Sequence, residues 1–202
     1  MTGRVLVMAK APVPGRVKTR LCPPWTPEQA AGLAAAALAD TLDVVGESAA
    51  TERVLVIDGD YPPPPGWITR PQSGGPLGER LADAFAEAPA VLVGMDTPQL
   101  TAAHLDRALR ALTRADAVFG PAADGGWWAL GLRREAYADV LRDIPTSTPE
   151  TGALTLEALL HKGLSVVTLP VLRDVDTAGD ALEVAAACPP HSRFARAVAA
   201  AG

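Results

Sequence analysis

Ala117-Val118-Phe119-Gly120 and Trp127-Trp128-Ala129-Leu130-Gly131-Leu132 are two short apolar runs with only the six residues Pro121-Ala122-Ala123-Asp124-Gly125-Gly126 between them. Continuous apolar runs of this length suit strands covered on both faces. A connection this short cannot hold a crossover helix, so the two strands pair antiparallel. Outward from this hairpin the pattern is different. Upstream strands are predicted over 4–9, 53–57 and 90–94, and a downstream one over 165–169, with a short extended piece at 67–70. Helical patterns separate them at 27–45, 77–88, 101–113, 133–142, 149–162 and 178–187. Thr26 with Pro27 behind it, and Thr101, are helix-start signals. The alternation predicts an α/β fold, a three-layer α/β/α sandwich whose sheet is mostly parallel with one antiparallel strand.

The bulk composition narrows the rest. A length of 202 residues suits one domain spanning 1–202, and no internal repeat divides it. Pro62 to Pro65 reads as a stiff surface connector. The net charge of −5 argues against a general nucleic-acid binder, which carries a basic face. The one dense basic segment, Lys10 to Arg20, is sized for a small anion. Cys22 and Cys188 lack any metal-ligand spacing, which argues against zinc and iron–sulfur sites, and two scattered thiols fit a reducing cytosol. The apolar run 5–9 is too short for a signal peptide. No stretch approaches the roughly 20 apolar residues of a membrane span. The expectation is a cytoplasmic protein with no membrane partner. Ala-rich helices can pack against a second subunit as readily as within the domain, which leaves a homodimer open.

Mostly parallel sheets bind ligands beyond the carboxyl ends of their strands, so the residues after each strand are the candidates. After the first comes Lys10-Ala11-Pro12-Val13-Pro14-Gly15-Arg16-Val17-Lys18-Thr19-Arg20-Leu21. Lys10, Arg16, Lys18 and Arg20 can converge on phosphate oxygens, and Pro14 with Gly15 helps to hold the loop ready. The bland alternative is a solvated basic loop. The segment is neither a Walker A loop nor a dinucleotide fingerprint. Asp96, in Gly94-Met95-Asp96-Thr97-Pro98, suits a hard-metal ligand such as Mg²⁺; a helix cap is the competing role, but Thr101 already offers one.

Asp124-Gly125-Gly126 is either a plain turn or a place where a ligand nears the backbone, with Trp127 or Trp128 as a pocket wall. In Asp174-Val175-Asp176-Thr177, either Thr177 or Asp176 simply caps the next helix, or one of the two acids, with Asp176 the choice, brings a second carboxylate to the metal. Asp58-Gly59-Asp60 competes as an acid pair, but the prolines beside it suggest an exposed turn. Gln72 and Gly78, within the stretch 72–80, either present an amide and backbone N–H groups to a base or ribose or form a flexible connector. The hydroxyls of 145–149 face a similar choice between acceptor contact and helix cap. No histidine shows partner spacing, and no nucleophile elbow is present.

Lys10 to Leu21, Leu77-Gly78-Glu79-Arg80, Gly94 to Pro98, Gly120 to Trp128 and Asp174 to Asp180 together carry a resemblance. The chain resembles the GT-A-like transferases usually labelled glycosyltransferases. It is more distantly similar to 2-phospholactate guanylyltransferase and the molybdenum-cofactor guanylyltransferases. The resemblance implies a nucleotide-diphospho-sugar transferase fold and dependence on Mg²⁺ or Mn²⁺. It puts Asp96 in the metal position, Lys18 and Arg20 near phosphates, and Asp124-Gly125-Gly126 on the acceptor side. Trp127 stands where the family more often has tyrosine, which removes a hydroxyl.

Two activities and one binding role follow as expectations. In nucleotidyl transfer a small phosphorylated acceptor attacks a nucleoside triphosphate and pyrophosphate leaves. Asp96 with Asp176 holds the metal there, while Lys18, Arg20 and Arg16 hold phosphates. In glycosyl transfer the donor is a nucleotide sugar and Asp124 serves as base. The third expectation is a non-catalytic nucleotide-binding domain. Fold alone does not choose among them.

Overall fold

The structure is a computed structural model and describes residues 3–202. Its strands are β1 (Arg4–Lys10), β2 (Glu52–Asp58), β3 (Ile68–Pro71), β4 (Ala90–Gly94), β5 (Ala117–Pro121), β6 (Trp127–Leu132) and β7 (Val166–Thr168). Its α-helices are α1 (Pro27–Glu47), α2 (Leu77–Ala84), α3 (Ala102–Leu112), α4 (Thr151–His161), α5 (Ala178–Ala187) and α6 (Arg193–Ala201). The seven strands form one sheet in the order β3-β2-β1-β4-β6-β5-β7. Only β6 is reversed, antiparallel to both β4 and β5, and the other neighbours run parallel. The short connection 121–126 therefore does what its length requires, and the α/β sandwich with one reversed strand is the observed fold.

Val5, Val7, Val91 and Val93 turn one way from the sheet, toward Ala34, Leu38 and Leu42 of α1 and Leu105 of α3. Leu6, Leu92, Leu130 and Leu132 turn the other way, toward Phe85, Leu141 and Leu159. The period-two alternation within buried strands thus feeds two cores, as a sheet covered on both faces must. Small alanines let α1 lie close over the sheet.

Several elements differ from the sequence pattern, most of them by a residue or two at their ends. The helix expected over 77–88 ends at Ala84. The segment expected as a helix over 133–142 is a 3-10 helix, Glu135–Arg142. The strand expected over 165–169 is reduced to Val166–Thr168 at the sheet edge. Gly78 explains part of this arrangement. A Cβ there would lie 2.4 Å from the Leu141 carbonyl oxygen, so α2 and the 3-10 helix meet backbone to backbone.

The sequence pattern missed α6. Its signals were present: Ser192 caps it by accepting from the Ala195 N–H, and Phe194 and Val198 sit one turn apart on its buried face. It docks on α1 through a long-range contact. The nearly buried Asp40 carboxylate accepts from the Arg193 N–H at 3.0 Å and the Phe194 N–H at 2.8 Å. At its far end Trp25 Nε1 donates to the Ala201 carbonyl at 3.1 Å.

Candidate active site at the carboxyl ends of the strands

From β1 the chain crosses to β2 on one side, whereas β4 lies on the other, so β1 and β4 flank the switch point where open sheets bind ligands. A cleft of about 420 Å³ opens there. Its cations are Lys10, Arg16, Lys18, Arg20 and Arg80, and its carboxylates are Asp58, Asp96 and Asp176. A smaller hollow of about 180 Å³, beside Gly3 and Leu109, lies at the opposite end of the sheet.

Lys18 sits at the centre of the charge pattern. Val17 and Leu21, both buried, pin the loop on either side of it. Its own backbone is left-handed, φ 49° and ψ 39°, at the start of the 3-10 turn Thr19–Leu21. A lysine held there is a local cost that other contacts must offset. Lys18 Nζ reaches Asp96 Oδ2 at 2.9 Å and Asp176 Oδ1 at 3.3 Å, and donates to the Val175 carbonyl at 2.5 Å. Burial works to lower its pKa, and the charges of Asp96 and Asp176 more than reverse this, so the ammonium titrates above an ordinary lysine.

A returning segment brings the partners in. Leu172 bridges to Ala122, and the Val175 N–H donates to the Asp96 carbonyl at 2.8 Å. That register sets Asp174 and Asp176 on either side of Val175, beside Asp96. Asp176 Oδ2 then accepts from Arg20 Nη2 at 3.1 Å. Both Asp176 oxygens are thus occupied by cations, whereas the expectation gave them to the metal. Thr177, not Asp176, caps the next helix.

Asp174 accepts from the buried Thr97 hydroxyl at 2.7 Å. Burial pushes its carboxyl up to about 6, opposed by the Thr97 hydrogen bond, reinforced by the charges of Asp96 and Asp124, and opposed again by Lys18. A raised acid pKa means that the folded state keeps a proton the unfolded chain gives up near 3.8. Wild-type stability should therefore rise as the pH falls from 7 toward 4, by roughly 2 kcal/mol relative to Asp174→Asn. Urea unfolding of both proteins across that range measures it, and parallel curves would show that Asp174 is not perturbed.

The remaining expected residues divide. Lys10 and Arg16 line the cleft, while Pro14 and Gly15 are exposed on the outer part of the same loop. Gln72 lines it too, but its amide is committed: Nε2 donates to the Ala9 carbonyl at 2.7 Å and Oε1 accepts from Arg80 Nη1 at 2.8 Å. Gly78 is used in packing. Asp124 is exposed at the hairpin tip, its carboxylate accepting from the Gly126 N–H at 2.9 Å. Gly125 is a packing contact as well: a Cβ there would lie 2.0 Å from the Pro149 carbonyl oxygen, and its own carbonyl accepts from the Gly152 N–H at 2.8 Å. The glycines 125 and 126 thus seat the start of α4 against the hairpin. Of the two tryptophans, Trp128 is buried and donates to the Pro170 carbonyl, and Trp127 is half-buried.

Sequence reasoning weighed Asp58 and set it aside, and gave Arg80 no role of its own. Asp58 ends β2 and faces the cleft, where an exposed turn was expected. The signal was available, since Asp58 follows a buried parallel strand just as Asp96 does. Arg80 lies four residues into α2, and only the packing of α2 against the sheet aims it inward.

Residues 33–148 match the sequence profile of DUF2064, described as an uncharacterised protein conserved in bacteria. The chain is similar to a solved protein of Desulfovibrio desulfuricans assigned provisionally as a nucleotide-diphospho-sugar transferase. The two are 30% identical, with a TM-score of 0.79, over 88% of this chain and 84% of that one. A likeness of fold extends to Rv0371c of Mycobacterium tuberculosis in complex with manganese, at 21% identity and TM-score 0.54 over 91% and 98% of the two chains. It extends also to the 2-C-methyl-D-erythritol 4-phosphate cytidylyltransferase of Thermus thermophilus, at 17% identity and TM-score 0.53 over 100% and 99%. No curated protein matches the sequence. Among the described residues no helix is long and apolar enough to cross a membrane.

Proposed function

This chain belongs to the bacterial DUF2064 family, and on that premise we propose that it is a metal-dependent nucleotidyltransferase. An oxygen of a small phosphorylated acceptor attacks the α-phosphorus of a nucleoside triphosphate. The bond from the α-phosphorus to the bridging oxygen breaks, and pyrophosphate leaves. The observation that carries this reading is the convergence of Lys10, Arg16, Lys18, Arg20 and Arg80 on one cleft at the switch point. That much positive charge suits a triphosphate better than a diphosphate. The reducing environment that suits two free thiols also suits a protein that works on cytoplasmic nucleotides.

The donor set fits a divalent ion. Asp96 and Asp124 lie close enough for their charges to act on the Asp174 carboxyl, and Lys18 is the cation that acts on it. Among the described residues no three acidic, His or Cys side chains form a cage. Mg²⁺ held by one or two carboxylates and by phosphate oxygens needs none. Asp96 and Asp174 would hold it, with Asp176 kept for the cations. When bound, the ion supplies charge neutralisation at the phosphates.

The chain's own groups do the rest. Lys18 and Arg20, with Arg16 and Lys10 at the rim, hold the β- and γ-phosphates and stabilise the charge on the departing pyrophosphate. Asp176 keeps Lys18 and Arg20 in place before substrate arrives, so their ordering cost is met in the free protein. No protein nucleophile is required, because positioning and electrostatics suffice.

The provisional assignment of the 30% identical relative favours a second reading, glycosyl transfer from a nucleotide sugar with Asp124 as base. One thermal-shift panel separates the two, with triphosphates and nucleotide sugars each tested with and without Mg²⁺ and Mn²⁺. A metal-dependent rise in Tm with a triphosphate is the expected result. A rise confined to nucleotide sugars would transfer the assignment to glycosyl transfer. No rise with any nucleotide would end both.

A further inference from the structure

Three ties join the loop after β4 to the returning segment 173–175. Gln99 Nε2 donates to the Arg173 carbonyl at 2.7 Å, the Thr97 hydroxyl donates to Asp174 Oδ1 at 2.7 Å, and the Val175 N–H donates to the Asp96 carbonyl at 2.8 Å. The first and third involve the backbone of the segment and set its register. The middle one ends on a carboxylate. The other buried threonines use their hydroxyls locally: Thr41, Thr151 and Thr155 donate to the Ala37, Pro145 and Thr151 carbonyls, four to six residues back. Thr97, 3% exposed, instead reaches a side chain 77 positions away. That bond ties down one oxygen of Asp174. The other oxygen, Oδ2, forms no hydrogen bond or ion pair among the described residues, and neither does Oδ1 of Asp96. Asp96 and Thr97 are adjacent, so one stretch of backbone both supplies the first carboxylate and holds the second.

Resting on the metal-dependent reading above, we propose that Thr97 is a positioning residue whose hydroxyl fixes the Asp174 carboxylate, so that Asp96 and Asp174 together favour Mg²⁺ or Mn²⁺ over Ca²⁺. An ionised carboxylate only accepts, so the hydroxyl must donate. A hydrogen bond to a ligating carboxylate fixes its orientation, and such outer partners weigh on metal affinity almost as the ligands do. Mg²⁺ demands near-ideal octahedral geometry, whereas Ca²⁺ accepts oxygens in a flexible arrangement. An Asp174 free to swing would still suit Ca²⁺ but would lose its advantage for the smaller ion. The Gln99 and Val175 ties hold the segment without help from Thr97. Loss of the hydroxyl should therefore release the carboxylate and leave the segment in place.

The test is Mn²⁺ binding to the full-length protein at about pH 8, where carboxylates are ionised. The paramagnetic resonance of the free ion is followed against a protein-free baseline, first without nucleotide and then with a mixture of the four common triphosphates. Mg²⁺ and Ca²⁺ are measured by their displacement of Mn²⁺. Thr97→Val and Thr97→Ala both remove the hydroxyl, and each should weaken Mn²⁺ and Mg²⁺ about tenfold. Ca²⁺ should weaken much less, so the preference for Mg²⁺ over Ca²⁺ should shrink. Thr97→Ser keeps the hydroxyl and should retain both affinity and preference. Gln99→Met removes a tie to the backbone only; it should lower Tm and bind all three ions as the wild type does. Unchanged Mn²⁺ affinity without the Thr97 hydroxyl, an equal loss for all three ions, or an equal loss in Gln99→Met would overturn the role of Thr97 while leaving the metal reading intact. Failure of the wild type to bind Mn²⁺ in either condition would overturn both.

Discussion

Lys18→Met should lower nucleotide turnover by about 10²- to 10³-fold, the usual loss when a preorganised charge on a transition state is removed. Methionine keeps the length of the side chain and removes only the ammonium. Three contacts vanish with it, to Asp96, Asp176 and the Val175 carbonyl. Two carboxylates then face each other with only the exposed Arg20 as counter-charge. The loss should fall mainly on kcat if Lys18 holds the leaving pyrophosphate, with a smaller rise in KM. The variant should also unfold at a lower temperature. Because the Lys18 pKa is raised on folding, its contribution to stability is fully present below the ordinary lysine value of 10.5 and disappears only as the pH rises through the higher folded value. At neutral pH, therefore, the whole contribution is lost on substitution. Steady-state kinetics with the triphosphate found in the thermal-shift panel measures the first effect, and unchanged turnover would remove Lys18 from the mechanism.

Asp40→Ala should cost about 2–4 kcal/mol of stability, a large effect for a polar residue outside the cleft. The carboxylate accepts from two N–H groups in the first turn of α6 and pairs with the Arg193 guanidinium. Alanine leaves those N–H groups without a partner in a nearly buried position. The consequence reaches the site, because α6 belongs to the same apolar cluster as Leu21 and Val175. Those two residues flank Arg20 and Asp176, and Phe194 shares a small space with Lys18 and Asp96. Loss of α6 docking should therefore loosen the loop that carries Lys18 and raise KM for the nucleotide even at temperatures where the sheet is intact. Urea unfolding gives the stability change, and amide exchange over Arg193–Ala201 reports the undocking. A change below about 0.5 kcal/mol would mean that α6 is held by its apolar face alone.

The fold was legible because its signals are local. Val5 to Ala9 and Ala90 to Gly94 are too short and too apolar for anything but buried strands, and Thr26, Thr101 and Thr177 cap their helices as their side chains allow. The candidate site was legible where one rule applied, that ligand groups follow parallel strands, and the Lys18, Arg20 and Asp96 it singles out line one cleft. The same rule applied to Asp58, but the neighbouring prolines outweighed it. The glycines 78 and 125 were ambiguous for a physical reason. A close approach by a ligand and a close approach by another backbone demand the same missing Cβ, and only the folded chain shows that Leu141 and Pro149 are the neighbours.

By itself the sequence determined the α/β alternation, the single reversed strand and the basic loop after β1. Each of these follows from residue spacing, connection length or charge density within a dozen residues. Only the tertiary structure decided which carboxylate serves which cation. Lys18 and Asp176 are 158 positions apart, and they meet because the Val175 N–H finds the Asp96 carbonyl at the end of β4. No local pattern carries that choice, because it is made by hydrogen bonds between segments that become neighbours only once the sheet has formed.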